Sequence, residues 1–135
     1  FSCHWAKAHF RFRQPYSDLA YGLEADKGGT RTILMAVQAH IIRHLLFDRT
    51  TAAAHLERLQ GISRQEQGEA LAAALAQLLW AAGGDGRAVV CLVTTDTHFV
   101  PRGDYRADSF TERIHLFEFL KKAAAQEFIR DHINC

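Results

Sequence analysis

Three kinds of residue in this sequence have chemistry beyond folding: a Lys-Gly-Gly junction, three cysteines and eight histidines. The junction, Lys27-Gly28-Gly29-Thr30-Arg31, runs straight into an apolar helical pattern. A helix start offers unpaired N–H groups and the positive end of the dipole. A low-bulk backbone before it lets a second group approach closely. The chemistry suited to such a place is activation of a nucleophile or binding of an anion. A nucleotide phosphate loop needs G-x-x-x-x-G-K-[ST]. Here Lys27 precedes the glycines and Arg31 does not mend the order, which argues against nucleotide binding. Cys3, Cys91 and Cys135 all lie away from this helix start, where a thiolate would be stabilised. Cys91 sits inside an apolar run and reads as a buried, inert thiol. Ser63 reads as a helix cap, and no G-x-S-x-G elbow exists. His40 and His44 are spaced i, i+4, which holds a metal if a third ligand converges. Ile41 after His40 breaks H-E-x-x-H, so they read as surface or groove histidines. Cys3, His4 and His9 match no standard zinc spacing, and His98 stands alone. No metal site and no cofactor are expected.

These residues need elements to position them. Ile33, Leu34, Val37, Ile41, Leu45 and Leu46, broadened by Ile42, recur at spacings of three and four and predict a helix over 31–47. Before it, Phe10 and Phe12 alternate with Arg11 and Arg13, a short strand over 8–13, and Pro15 to Asp18 marks a turn. Trp5 reads as a core or lid anchor. A short helical segment follows from 51 to 59, with Thr50 or Thr51 as its cap, and Gly61 stops it. Ser63-Arg64-Gln65-Glu66 has the capping-box form and opens a third helix. Its stripe is Leu71, Leu75, Leu78 and Leu79, and Gly83-Gly84-Asp85-Gly86 ends it. Val89 to Val93 reads as a buried strand, and 113–119 as a second strand buried on both faces. The segment 96–108, with Pro101 and Gly103, reads as a loop or a strand-edge excursion. A last helix spans 120–133, with Leu120, Ala124, Phe128 and Ile129 as its stripe. The class is α+β and helix-rich: a central helix after a Gly-Gly turn, with a few strands.

The 135 residues make about one domain, and 48% hydrophobic with 23% charged residues is ordinary globular composition. A net charge of +1 argues against nucleic-acid binding by bulk electrostatics. No apolar run approaches the ~18–20 residues that span a bilayer, so no membrane partner is expected. Three scattered cysteines point to a reducing, intracellular compartment, with the cytoplasm as the expected place. A start at Phe1 and a stop at Cys135, just after a helical pattern, imply a piece of a longer protein.

Tyr21-Gly22-Leu23, Lys27-Gly28-Gly29, Ala36-Val37-Gln38-Ala39 and Leu45-Leu46-Phe47 together resemble the MINDY family of cysteine deubiquitinases, which prefer lysine-48-linked polyubiquitin. Trp5, Phe10 and Phe12 look like the family's N-terminal segment. His98-Phe99, Gly103, Tyr105, Ala107-Asp108 and Ile114-His115-Leu116-Phe117 look like its central portion. The resemblance implies that residues 1–135 are the N-terminal part of a catalytic domain of papain-like architecture, incomplete in this chain. Family members read Gln-x-Lys-Gly-Gly-Pro-Cys across the junction. The cysteine is the nucleophile, and the glutamine six residues earlier helps form the oxyanion hole. This sequence has Arg31 at the cysteine position, Thr30 at the proline position and Ala25 at the glutamine position. The family's catalytic histidine falls beyond this chain, and His98 does not look like its equivalent.

A guanidinium stays protonated and is no nucleophile, and a methyl group offers no donor to an oxyanion. The chain therefore resembles the family's inactive, MINDY-4B-like branch. The resemblance implies a pseudoenzyme without catalytic residues, a non-enzymatic protein of the ubiquitin pathway. Its former active-site junction, Lys27, Gly28, Gly29, Thr30 and Arg31, would bind ubiquitin, polyubiquitin or a partner enzyme. Lys27 and Arg31 could hold an acidic group or ubiquitin's C-terminal carboxylate there. Two alternatives stay open: a residual cysteine-type deubiquitinase with a displaced nucleophile, and a purely structural or interaction domain. Oligomeric state is not readable from the sequence.

Overall fold

The first helix, α1 (Arg31–Arg43), turns Leu34, Val37 and Ile41 inward, and its register carries on into a π-helical turn, His44–Asp48, whose Leu45 is also buried. The computed structural model describes residues 10–25, 31–48, 56–93 and 114–133. The expected loop over 96–108, the cap at Thr50 or Thr51, Trp5 and His98 lie outside the described residues. Ile33 was expected in the buried stripe but is 60% exposed. The stripe is narrower than the run of apolar residues, because only one side of α1 meets the core. Ile42 and Leu46 pack at its margin, half-buried.

A one-turn 3₁₀ helix, Leu56–Leu59, is what the described residues show of the segment expected over 51–59, with Leu59 in the core. Gly61 follows with φ +67°, a left-handed backbone that a Cβ would strain. Ile62 then enters the core and Ser63 caps the next helix, α2 (Arg64–Gly83). The capping box forms as the sequence predicts. The Glu66 N–H donates to Ser63 Oγ at 3.2 Å, and the Ser63 N–H donates to Glu66 Oε2 at 2.7 Å. Such a cap contributes about 0.5–2 kcal/mol. Gly84 closes the helix at φ 59°.

The deepest positions of α2 are its alanines. Ala70, Leu71 and Ala74 join the core formed with α1, while Ala72 and Ala76 join a second cluster with Ile129. Leu75, Leu78 and Leu79, expected as the buried stripe, are only half-buried. Small side chains on two faces let helices approach from both sides, so α2 is the axis of the fold.

Strand β1 (Ala88–Val93) pairs antiparallel with β2 (Ile114–Phe119), with Ala88 opposite Phe119 and Val90 opposite Phe117. The last helix, α3 (Lys122–Ile133), lays Phe128 against Phe117 and Phe119, with ring centroids 4.7 and 5.1 Å apart. Lys122 Nζ donates to Gln77 Oε1, tying α3 to α2. The expectation of strands buried on both faces is corrected. Ala88 and Val90 are buried, whereas Val89, Cys91 and Leu116 are exposed. Side chains alternate along a strand, and among the described residues helices cover only one face of this sheet. Cys91 is therefore an exposed thiol, not the buried one expected. Leu120 precedes α3 and is exposed, and Ala124 faces solvent. Of the expected stripe Ile129 is buried and Phe128 half-buried, while Ala125 takes the place expected of Ala124 in a helix that begins at Lys122.

Residues 10–25 wrap this core without regular structure. Of the strand expected over 8–13, residues 8 and 9 lie outside the described residues, and the described part forms an antiparallel bridge, Phe12 to Leu23. It is held by Arg13 N–H to Gly22 C=O at 2.9 Å and Glu24 N–H to Arg11 C=O at 2.7 Å. Arg11 and Glu24 also pair at 3.2 Å on the surface. Gln67, only 4% exposed, fixes the wrap to α2. Its Nε2 donates to the carbonyls of Arg13 at 2.9 Å and Ala20 at 2.7 Å. Gln67→Leu removes the donor from two carbonyls and is expected to cost about 1–3 kcal/mol. The check is a lower denaturation midpoint for this domain in the full-length protein, with faster amide exchange over 10–25.

Candidate functional site

The site grows from the meeting of the wrap with α1. Leu23 and Ala25 are two apart in an extended segment, so their side chains share a face. On α1, Arg31, Leu34, Met35, Gln38, Ala39 and Ile42 fall at steps of three and four and present a second stripe, beside the core-facing one. The two walls enclose an open groove of ≈ 580 Å³, lined by Leu23 and Ala25 on one side and by these helix residues on the other. Met35 on its wall is 72% exposed. The groove is apolar along its length and cationic where Arg31 stands at the first residue of the helix. No acidic residue lies in the first turn of α1. A guanidinium there sits at the positive end of the dipole and favours an anionic group at that end of the groove.

Gln38 joins the walls. Its Oε1 accepts from the Leu23 N–H at 2.7 Å and its Nε2 donates to the Tyr21 C=O at 2.9 Å. The segment that carries Ala25 is thereby locked to the helix that carries Arg31. Both positions expected from the junction line the groove together. Lys27, Gly28, Gly29 and Thr30, expected between them, lie outside the described residues.

The other expected residues stand apart. His40 and His44 are half-buried, and His44 Nδ1 lies 3.8 Å from Asp48 Oδ2. Among the described residues no three His, Cys, Asp or Glu side chains gather as a metal site. Cys91 lies in β1, away from any helix start. Cys3, His4, His9 and Cys135 lie outside the described residues. Sequence reasoning missed Gln38 and Gln67 as structural agents. Gln38 had a signal, a polar residue within an apolar helical run at Val37-Gln38-Ala39, whereas Gln67 stands in the polar stretch 64–69 and had none.

A family model described as "Deubiquitinating enzyme MINDY-3/4, conserved domain" matches residues 1–135. The chain belongs to the MINDY-3/4 family. Among curated proteins, the "Probable ubiquitin carboxyl-terminal hydrolase MINDY-4" of Mus musculus is 34% identical over 134 residues, 99% of this chain and 18% of the relative. The protein of the same name from Bos taurus is 40% identical over 134 residues, 99% of this chain and 17% of its own length. That of Homo sapiens is 37% identical over 116 residues, 86% of this chain and 15% of its own. The chain thus spans less than a fifth of the length of these MINDY-4 relatives. No solved structure matches the chain at a significant level. The mixed architecture of helices and a two-stranded sheet is α+β, as the sequence predicts. Among the described residues no helix is long and apolar enough to cross a membrane.

Proposed function

We propose that these residues are the N-terminal part of a MINDY-type catalytic domain of papain-like architecture that has lost its chemistry and binds ubiquitin, intracellularly, through the former active-site groove. The observation that carries this reading is that Ala25 and Arg31 line one groove. These are the positions where the family resemblance places the oxyanion glutamine and the nucleophilic cysteine. Gln38 ties the segment that carries Ala25 to the helix that carries Arg31, and neither reacting group stands at those two positions. Arg31 supplies a fixed positive charge where a thiolate would stand, and Ala25 supplies no hydrogen-bond donor. An open apolar groove with a guanidinium at one end suits an extended peptide tail that ends in a carboxylate. Ubiquitin as the partner comes from the hydrolase activity named for the MINDY-4 relatives. A displaced nucleophile finds no support at Cys91, which lies on the open face of the sheet.

The test is a titration of full-length protein with monoubiquitin and with lysine-48-linked chains. Saturable binding, weakened by Arg31→Glu, is the expected result. No binding up to several hundred micromolar of either ligand would sink the reading.

A further inference from the structure

An extended chain turns alternate peptide groups to opposite edges. Along 21–24 one edge, Gly22 C=O and Glu24 N–H, pairs with Arg13 and Arg11. The other edge, Tyr21 C=O and Leu23 N–H, meets the carboxamide of Gln38. A primary amide has one acceptor oxygen and a donor nitrogen held in one plane, as a peptide group has. Gln38 therefore does from a helix what a neighbouring strand does in a sheet: it takes the C=O of one residue and the N–H of the residue two further on. Side chains alternate between faces as well, so Ala25, two residues beyond Leu23, shares its face and lines the groove with Arg31.

We propose that Gln38 is a positioning residue, acting as a one-peptide surrogate strand that sets residue 25 in register with residue 31. This deepens the reading above and rests on its assignment of positions 25 and 31 as the former reacting pair. Gln38 touches neither the Ala25 nor the Arg31 side chain by hydrogen bond. Its effect passes through the backbone of Tyr21 and Leu23. A side chain at 25 would point where the family chemistry needs it only while both hydrogen bonds hold. Loss of either frees the segment on the side away from the Phe12 bridge.

The experiment uses full-length protein carrying Ala25→Gln and Arg31→Cys, with Gln38 kept or changed to Glu or Leu. Ubiquitin bearing a C-terminal electrophile is the probe. Two quantities are read: the rate of adduct formation against probe concentration, and amide hydrogen exchange over 22–25 and over α2. Glu keeps the acceptor for Leu23 and, when ionised, loses the donor for Tyr21. Leu loses both. The expected order of maximal rates is Gln, then Glu, then Leu, with Leu slower by about tenfold to a hundredfold. The half-saturating probe concentration stays within about twofold, since a small displacement of a reacting group costs rate more than binding. Exchange rises over 22–25 and stays unchanged over α2. Equal rates in all three proteins would overturn the proposal, as would exchange that rises throughout α2. If the Gln38 parent itself forms no adduct, the assignment of positions 25 and 31 fails, and exchange alone decides on Gln38. A rise confined to 22–25 upholds it and no rise overturns it.

Discussion

Full-length protein with Arg31 in place will form no adduct with ubiquitin carrying a C-terminal electrophile, and Arg31→Cys combined with Ala25→Gln will create one. The reasoning is chemical. An arginine side chain has five N–H donors, no lone pair free to attack, and a proton it does not give up. No shift of backbone or solvent makes it a nucleophile. A cysteine at the first residue of α1 would have its thiolate stabilised by the helix dipole, with no acidic residue in the first turn to oppose it. Ala25 stands on the facing wall of the same groove, so a glutamine amide there would be aimed at the same space. Removing one oxyanion donor costs about 10²–10³ in rate. Arg31→Cys alone is therefore expected to react about a hundredfold or more slower than the double variant. The measurement is adduct formation followed by mass, in the full-length protein, since the resemblance places the family's histidine beyond these residues. An adduct on Arg31 protein would show that a nucleophile stands elsewhere and would end the pseudoenzyme reading.

The largest single stability effect is expected at Ile41. It is fully buried, at 0% exposure, between Leu34, Val37 and Leu45 of its own helix and the core of α2. Ile41→Ala deletes three carbon atoms from the packed centre and leaves a cavity, for a cost of about 2–5 kcal/mol. Ile33 lies in the same helix and in the stripe the sequence predicts, yet it faces solvent. Ile33→Ala is expected to change stability by no more than about 0.5 kcal/mol. Denaturant unfolding of the two variants separates the readings. Equal loss of stability in both would mean that Ile41 does not face the core and Ile33 does not face solvent. The contrast also bears on function, because α1 carries the groove stripe and the core stripe on adjacent faces. Loosening Ile41 would move Met35 and Gln38 with it, so ubiquitin binding should weaken in Ile41→Ala and survive in Ile33→Ala.

What the sequence determined by itself was local. Spacings of three and four located α1, α2 and α3, Ser63 and Glu66 located the start of α2 through their reciprocal hydrogen bonds, and β-branched residues located β1. That Arg31 cannot attack a carbonyl and Ala25 cannot donate to an oxyanion was also legible, because side-chain identity alone decides both. Three matters were decided only by tertiary structure. Which apolar residues are buried depends on what covers them: Ile33, Leu116 and Leu120 have the right type and no cover. Which small residues matter most depends on how closely neighbours approach, and this put Ala70, Ala72, Ala74 and Ala76 deeper than the leucines of α2. Which polar residues organise the site depends on partners far away in the chain. Gln67 reaches Ala20 and Arg13 across 47 and 54 residues, and Gln38 reaches Tyr21 and Leu23 across 17 and 15. Periodicity is a property of a few consecutive residues, whereas a hydrogen bond between a helix and a distant backbone exists only once the chain has closed on itself. The sequence singled out Ala25 and Arg31 by a family resemblance, and the fold put them in the same groove.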